Sequence, residues 1–210
     1  MNSILAQLSE IAIIPVIALH DENHAVPLAK ALIAGGIPAA EVTFRTEAAE
    51  GAIRAMVENC PDILVGAGTI LNVEQCHRAI DAGAKFIVSP GYNQEVVDCC
   101  IAQNMPILPG CTNPSDMTRA VNSGLEVVKF FPAEVSGGLN YIKNVAPVFP
   151  GLKFMPTGGI SPANVATYLA YDRIVACGGS WMVKSDMIAG EKFEEITTMC
   201  REAASLVKRG

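Results

Sequence analysis

The sequence predicts an α/β fold, a (β/α)8 TIM barrel formed by a single domain over residues 1–210. Three observations lead to this prediction. Eight short apolar runs alternate with helical patterns along the chain. Hydrophobic residues make up 50% of the composition and charged residues only 17%, as expected of parallel strands buried on both faces. No Ser/Pro-rich linker or low-complexity stretch interrupts the alternation, which favours consecutive βα units in one domain.

The strands are predicted from continuous apolar runs bounded by turn residues. In chain order the runs cover residues 13–19, 39–44, 63–67, 85–89, 106–109, 126–131, 153–156 and 173–177. An open doubly wound sheet is the main alternative. The first run is not followed by G-x-G-x-x-G, and polar or glycine residues recur at the end of nearly every run rather than at one switch point. Both observations favour the barrel.

The first helices are predicted from apolar residues spaced three or four apart, which form one helix face. These residues are Leu28, Ala31 and Leu32, then Ile53, Met56 and Val57, then Val73, Cys76 and Ile80. Three helices end in a glycine shortly before a strand, at Gly35, Gly83 and Gly124, and each glycine is a candidate left-handed C′ residue. Pro27 fits the first turn of its helix if Asp21 or Asn23 is the cap.

Charge and cysteine content restrict the partners and the compartment. The net charge of −6 and the pI near 5.1 argue against a nucleic-acid partner, which usually requires a basic face. The seven cysteines show no C-x-x-C spacing and are expected to be reduced. The early apolar run of residues 11–19 is too short to span a bilayer and is interrupted by Pro15, so neither a membrane partner nor export is expected. We therefore expect a cytoplasmic protein.

Lys129 is the most informative residue, because it interrupts the otherwise apolar run of residues 126–131. In a barrel, catalytic residues project from the carboxyl ends of strands. Desolvation there disfavours the ammonium form and makes a neutral, nucleophilic amine accessible, which suits attack on a ketone. The alternative is a lysine that reaches past the barrel rim to solvent.

Glu41, Thr43 and Arg45 alternate with Val42 and Phe44, so the three polar residues share one face of the second strand, which we expect to point into the barrel. The functional interpretation is an acid/base carboxylate together with an arginine that binds a substrate carboxylate. The alternative is a structural Glu–Arg ion pair.

Two glycine pairs follow the seventh and eighth strands, where barrels commonly bind phosphate. Gly158 and Gly159 come after Thr157, and Gly178 and Gly179 come before Ser180. Backbone N–H groups without side chains, helped by a following helix, can bind phosphate oxygens even in an acidic protein. The alternative is a pair of tight turns.

A metal site is not expected. Four residues with metal-binding side chains lie in the first βα loop, where caps and solvated charges are usual, and no second ligand group with zinc-like spacing accompanies them. They are His20, Asp21, Glu22 and His24.

Five motifs, in chain order, resemble the 2-keto-3-deoxy-6-phosphogluconate (KDPG) and 4-hydroxy-2-oxoglutarate (KHG) aldolase family. The resemblance runs from Pro15 to about Lys184, and its most specific motif is K-F-F-P-A-E. The motifs are Glu41-Val42-Thr43-Phe44-Arg45-Thr46, Gly66-Ala67-Gly68-Thr69, Ser89-Pro90-Gly91, Val128-Lys129-Phe130-Phe131-Pro132-Ala133-Glu134 and Pro156-Thr157-Gly158-Gly159-Ile160.

The resemblance implies a class I aldolase that needs no metal or other cofactor and acts as a homotrimer on 2-keto acids, releasing pyruvate. Lys129 is then the Schiff-base lysine and Glu41 the acid/base residue. Arg45, Thr69 and Pro90 surround the pyruvate moiety, and the Thr157 hydroxyl lies near the imine. The implied phosphate site consists of Gly158, Gly159, Gly179 and Ser180.

Two other functions remain open at this stage. A barrel isomerase or synthase acting on a sugar phosphate would use the same glycines and carboxylate, but would not need a lysine in the sixth strand. A non-catalytic barrel that senses a phosphorylated metabolite would tolerate the loss of Glu41 and Lys129.

One loop departs from the family pattern, because Asn113 and Asp116 stand where members often carry Thr and Glu. We expect this loop to influence substrate preference.

Overall fold

Eight parallel strands alternate with helices in the computed structural model, which describes residues 3–207. Every predicted run overlaps a strand. The last strand begins at Cys177, where its predicted run ends. The strands are β1 Ile13–Ile17, β2 Ala39–Thr43, β3 Leu64–Gly68, β4 Ile87–Val88, β5 Ile107–Leu108, β6 Val127–Phe130, β7 Lys153–Pro156 and β8 Cys177–Gly179.

Ten α-helices within residues 3–207 lie before, between and after the strands. They are α1 Ser3–Ile11, α2 Ala25–Ala34, α3 Ala49–Asn59, α4 Val73–Asp81, α5 Gln94–Ala102, α6 Pro114–Asn122, α7 Gly138–Val145, α8 Val165–Leu169, α9 Ser185–Ala189 and α10 Phe193–Ser205. Three short 3-10 helices cover Glu22–His24, Glu134–Ser136 and Ala146–Val148. Asn72, Asn93 and Asn113 cap α4, α5 and α6 by accepting backbone N–H groups.

The predicted helix ends are confirmed in part. Pro27 lies in the first turn of α2, although Asp21 caps the preceding 3-10 helix rather than α2 itself. Gly83 and Gly124 have φ of +97° and +76°, as expected of left-handed C′ residues. The assignment of Gly35 is wrong, because the left-handed residue after α2 is Gly36, at φ +78°. At Gly35 an added Cβ would lie 2.3 Å from the Cβ of Cys200, so this glycine lets α10 pack closely on α2.

The prediction of a closed eight-stranded (β/α)8 TIM barrel is wrong. The strands form two sheets, one of six strands in the order β5-β4-β3-β2-β1-β8 and one of two strands, β6-β7. Within residues 3–207, isolated bridges and not a continuous ladder link the sheets: Gly110 pairs with Lys129 on one side, and Phe154 with Ile174 and Thr157 with Gly178 on the other.

A proline interrupts the hydrogen-bonded ladder at each junction. Between β5 and β6, the Lys129 N–H donates to the Pro109 carbonyl over 2.9 Å. The next bond in this register would need an N–H from Pro109, which proline lacks. Between β7 and β8, Pro156 lacks the N–H in the same way, and the Cys177 N–H donates instead to Ala12 of the chain preceding β1. Pairing therefore stops, although eight parallel strands are present.

Two apolar clusters hold the strands in place. The outer cluster lies between strands and helices and includes Ala40 and Val42 of β2. The inner cluster contains Ala39 of the same strand, so Glu41 and Thr43, which alternate with Ala40 and Val42, share the inner face of Ala39. The members of the inner cluster are Leu8, Ile14, Ala39, Leu64, Phe86, Val88, Leu108, Val127, Met155, Val175 and Ala176. Leu8 comes from α1, the one helix in the described part of the chain that contributes a buried residue to this cluster.

Candidate active site

The Lys129 amine lies inside the molecule, next to a carboxylate. Lys129 alternates on β6 with Val128 and Phe130 of the outer cluster, so its side chain points to the inner face, and only 5% of its surface is exposed. Its Nζ lies 3.2 Å from Oε1 of Glu41, which is fully buried on β2. Lys129 therefore does not reach past the rim to solvent. The polar face of β2 points inward, as the alternation predicts.

Glu41 has one oxygen paired and one without a partner. Oε1 accepts the hydrogen bond from Lys129, whereas Oε2 is buried and has no hydrogen-bond partner among residues 3–207. Gly68 makes room for this side chain, since a Cβ there would lie 2.3 Å from Oε1. A buried polar atom without a partner is unfavourable and often marks a functional site. The arrangement can exchange a proton with a group placed beside the amine.

Arg45 is held by Thr43 rather than paired with Glu41. The Arg45 Nε donates to the Thr43 hydroxyl over 3.0 Å, and that hydroxyl donates to the carbonyl of Ile17 over 2.7 Å. In the structure Glu41 forms its ion pair with Lys129, so the alternative of a structural Glu–Arg pair does not describe it. Thr43 therefore positions the guanidinium.

A cavity of about 160 Å³ brings together six of the ten predicted site residues. These six are Arg45, Thr157, Gly158, Gly159, Gly179 and Ser180. The side chain of Phe131 connects the cavity to the buried pair, since it lines the cavity and its ring centroid lies 5.1 Å from Nζ of Lys129. The buried Thr157 hydroxyl has no hydrogen-bond partner among the described residues. At Gly178 a Cβ would lie 2.3 Å from this hydroxyl, so the glycine there leaves it room.

The Gly158–Gly159 turn has a backbone that favours glycine. Its φ angles are +95° and +80°, both in the left-handed region. Successive N–H groups in such turns can form an anion-binding concavity. The expected helix directly after each glycine pair is absent, because α8 begins only at Val165 and α9 at Ser185. Any anion binding here would therefore depend on turn amides rather than on a helix terminus.

Thr69 and Pro90 do not line this cavity. Thr69 follows β3 in a left-handed conformation, at φ +59°, and the Pro90 carbonyl packs against Gly110. Three cavity residues were missed as site residues: Val16, Phe131 and Ile160. The last two lie in the motifs that carry the resemblance, which was a usable signal. Gly178 also lines the cavity; the sequence placed it in the second glycine pair but not in the implied phosphate site. Val16 carries no signal of its own in the sequence.

The first βα loop shows structural roles for its polar residues. Asp21 caps the 3-10 helix there, and the His24 Nε2 lies 3.6 Å from Glu191. Residues 3–207 contain no group of three or more side chains arranged to hold a metal ion. In the same part of the chain, no helix is both long and apolar enough to cross a membrane.

Comparisons with known proteins place the chain among enzymes of one type. The family model described as "KDPG and KHG aldolase" matches residues 4–199. The 2-dehydro-3-deoxy-phosphogluconate aldolase of Treponema pallidum is 45% identical over 207 residues, covering 99% of both chains. The KHG/KDPG aldolase of Escherichia coli K12 is 42% identical and covers 93% of this chain and 92% of its own.

Solved structures are similar over nearly the whole chain. The KDPG aldolase of Zymomonas mobilis ZM4, solved with 3-phosphoglycerate, has a TM-score of 0.90 and 39% identity, covering 98% of this chain and 97% of that one. The KDPG aldolase of Legionella pneumophila has a TM-score of 0.91 and 37% identity, covering 95% and 97%. That structure holds pyruvate captured at low pH as a covalent carbinolamine intermediate.

Proposed function

Because the chain belongs to the KDPG and KHG aldolase family, we propose that it is a class I aldolase acting on 2-keto acids. It cleaves KDPG to pyruvate and glyceraldehyde 3-phosphate, and KHG to pyruvate and glyoxylate. The single observation that carries this proposal is the buried Lys129 amine, 3.2 Å from the Glu41 carboxylate. An amine in this environment can form a Schiff base with a ketone, and the adjacent carboxylate can take up and return protons.

The reaction begins when the Lys129 ammonium gives a proton to Glu41 and the resulting amine adds to the C2 carbonyl of the substrate to give a carbinolamine, whose hydroxyl then takes that proton back from Glu41. Loss of water leaves an iminium, which acts as an electron sink. Glu41 accepts the proton of the C4 hydroxyl while the C3–C4 bond breaks, and the aldehyde leaves. The electron pair of that bond forms an enamine. Protonation of the enamine at C3 and hydrolysis of the iminium then release pyruvate and restore the amine, with one carboxylate serving as base and acid in turn.

The cavity residues bind the two ends of the substrate. Arg45 binds the carboxylate of the 2-keto acid, with its guanidinium oriented by Thr43. The Thr157 hydroxyl, which has no protein partner among the described residues, donates a hydrogen bond near the imine. Amides of Gly158, Gly159, Gly179 and Ser180 bind the distal phosphate of KDPG. Thr69 and Pro90 close the pyruvate side from the ends of β3 and β4.

We also propose that the enzyme is a cytoplasmic homotrimer. The family resemblance implies the trimer, and the reduced cysteines support the compartment, because all seven are free thiols. Light scattering of the purified protein should give three times the 22.1 kDa chain mass. A monomer mass at micromolar concentration would contradict the trimer.

Borohydride trapping tests the covalent step. Incubation with pyruvate and borohydride should add one pyruvate-derived mass to the peptide that contains Lys129, because reduction converts the iminium to a stable amine. Lys129→Ala should abolish the adduct. The exposed Lys85 provides a matched control, and Lys85→Ala should trap pyruvate as the wild type does.

Two outcomes would contradict the proposal. Modification of Lys85, Lys143 or Lys153 in place of Lys129 would mean that the nucleophile is misassigned. Absence of any adduct in a folded protein would favour an isomerase or a non-catalytic binding protein.

A further inference from the structure

Glu134 ends the K-F-F-P-A-E motif but has no part in the reaction described above. It lies in the 3-10 helix after β6, and its backbone N–H donates to the Gly158 carbonyl over 3.1 Å. A Cβ added to Gly159 would lie 2.5 Å from Cγ and 2.7 Å from Cβ of Glu134. The aliphatic part of the Glu134 side chain therefore packs directly on the Gly158–Gly159 turn.

The carboxylate of Glu134 points elsewhere. The three heavy atoms nearest to the added Cβ at Gly159 are Cγ, Cβ and Cα of Glu134, the last at 3.9 Å, so its oxygens are more distant. Oε1 instead accepts a short hydrogen bond from the hydroxyl of Tyr168 on α8. Gly138 leaves space for this contact, since a Cβ there would lie 3.0 Å from both Oε1 and the Tyr168 hydroxyl.

The Tyr168 hydroxyl is buried and stays protonated, so it remains a hydrogen-bond donor to Glu134. Its side chain is 2% exposed. Burial raises the pKa of its hydroxyl well above the usual range, and the neighbouring Glu134 raises it further. The hydroxyl therefore keeps its proton at any pH at which an enzyme of this kind works. Asn164 fixes the turn independently, donating from Nδ2 to the Gly159 carbonyl over 3.0 Å.

The orientation of the Glu134 carboxylate matters because the adjacent Gly158–Gly159 turn is part of the proposed phosphate site. A carboxylate free to rotate beside Gly159 would repel a phosphate bound at the turn amides. We propose that Tyr168 is a positioning residue that determines specificity for phosphorylated substrates: its hydroxyl holds the Glu134 carboxylate away from the Gly158–Gly159 turn, so that only the aliphatic part of Glu134 faces the phosphate site. This inference rests on the proposed function and extends it to residues outside the cavity.

Kinetics of Tyr168→Phe with two substrates test the proposal. The variant should raise KM for KDPG about tenfold, a loss of about 1.4 kcal/mol, and leave kcat nearly unchanged. Both constants for KHG, which has no phosphate, should stay within about twofold, because the repulsion acts only on a phosphate-bearing substrate. The KDPG defect should shrink at high ionic strength, since salt screens exposed charges.

Removal of the charge should rescue the variant. In Tyr168→Phe/Glu134→Gln the KDPG constants should return to those of Glu134→Gln alone, because no carboxylate is left to repel the phosphate. Tyr92→Phe is the matched control. It removes a tyrosine hydroxyl that bonds Ser123 over 2.8 Å outside the cavity and should change neither substrate's constants.

Other results would overturn the proposal. Equal losses on KDPG and KHG, or a double variant no better than Tyr168→Phe, would mean that the Tyr168–Glu134 contact only supports the fold. Failure of the proposed function is distinguishable, because the wild type would then cleave neither substrate. In that case, titration with inorganic phosphate makes the same comparison. Tyr168→Phe should bind phosphate more weakly than the wild type, and Tyr168→Phe/Glu134→Gln should recover the affinity. Equal affinities would refute the proposal.

Discussion

Lys129 and Glu41 form an ion pair from which water is almost excluded. Such a pair gains little net stability, since desolvation of both charges offsets their attraction, but removal of one partner leaves an uncompensated buried charge. The Glu41 Oε2, which has no hydrogen-bond partner among residues 3–207, adds the cost of an unsatisfied buried polar atom. A gain in stability therefore does not explain the pair, which is consistent with the role in chemistry proposed for it.

This reasoning predicts a non-additive mutant cycle. Lys129→Met should lower the free energy of unfolding by about 3 kcal/mol, because the buried Glu41 loses its counter-ion. Adding Glu41→Gln should recover at least about 1 kcal/mol, since the remaining charge is removed. Urea unfolding of the wild type, both single variants and the double variant measures the effect. A double variant less stable than Lys129→Met would show that the two residues act independently.

Individual residues were predictable where alternation placed them. Lys129 was identified because it interrupts an apolar strand, and Glu41 because it alternates with apolar residues, a period of two that correctly put it on the inner face. Their contact was not predictable, because the two residues are 88 positions apart and lie in different sheets. Without that contact, the pairing of Glu41 with Arg45 on its own strand was equally acceptable. The missed Val16 shows the same limit, since only the fold brings it to the cavity.

At the scale of elements, glycines set how closely neighbouring loops and strands approach. Gly110 follows β5, and a Cβ there would lie 2.0 Å from the Pro90 carbonyl oxygen. Backbone atoms cannot move aside as a flexible side chain does. Gly110 also forms the bridge to Lys129 between the two sheets. This contact therefore connects the ends of β4, β5 and β6.

Gly110→Ala should consequently lower the free energy of unfolding by about 1–3 kcal/mol, the usual cost of forcing an extra methyl group into a packed site. Gly151→Ala is the matched control, because no atom lies within 4 Å of its added Cβ, and it should stay within about 0.5 kcal/mol of the wild type. Chemical denaturation compares the two variants. Equal stabilities would mean that the Pro90 loop adjusts without cost.

Elements were predictable where local pattern determines them. The eight apolar runs all overlap strands, and the C′ positions at Gly83 and Gly124 follow from left-handed backbone that glycine favours. The choice between Gly35 and Gly36 was not predictable, because it depends on contact with Cys200, 165 positions later. Similarly, β8 is displaced toward its glycines because its first residue, Cys177, pairs with Ile13 of β1.

For the whole molecule, α1 adds a side chain to the space inside the strands. Leu8 is fully buried in the inner cluster, with Ile4 and Leu5 packed against that cluster. Leu8→Ala should lower the free energy of unfolding by about 2–5 kcal/mol, because it removes buried methyl groups and leaves a cavity. Leu71→Ala, at a side chain that is 54% exposed, should change it by no more than about 0.5 kcal/mol. Thermal or urea unfolding measures both variants, and similar losses would mean that α1 is not part of the core.

The fold class was predictable only to the level of alternating parallel strands and helices. Closure depends on continuous hydrogen bonding between neighbouring strands, and at the two junctions Pro109 and Pro156 lack the N–H that the ladder would need next. Both prolines lie inside predicted runs, at residues 106–109 and 153–156. Their effect could not be assigned without knowing which N–H each ladder needs.

The two junctions place the proposed catalytic groups in different sheets. Lys129 belongs to the β6–β7 pair and Glu41 to the six-stranded sheet. The 3.2 Å distance between the Lys129 Nζ and the Glu41 Oε1 therefore spans the boundary between the two sheets. A small sliding of the β6–β7 pair would change that separation while breaking only isolated bridges and no continuous ladder. The proposed nucleophile is therefore carried by a two-stranded sheet whose position relative to the other strands depends on side-chain packing and on a few backbone hydrogen bonds at the junctions.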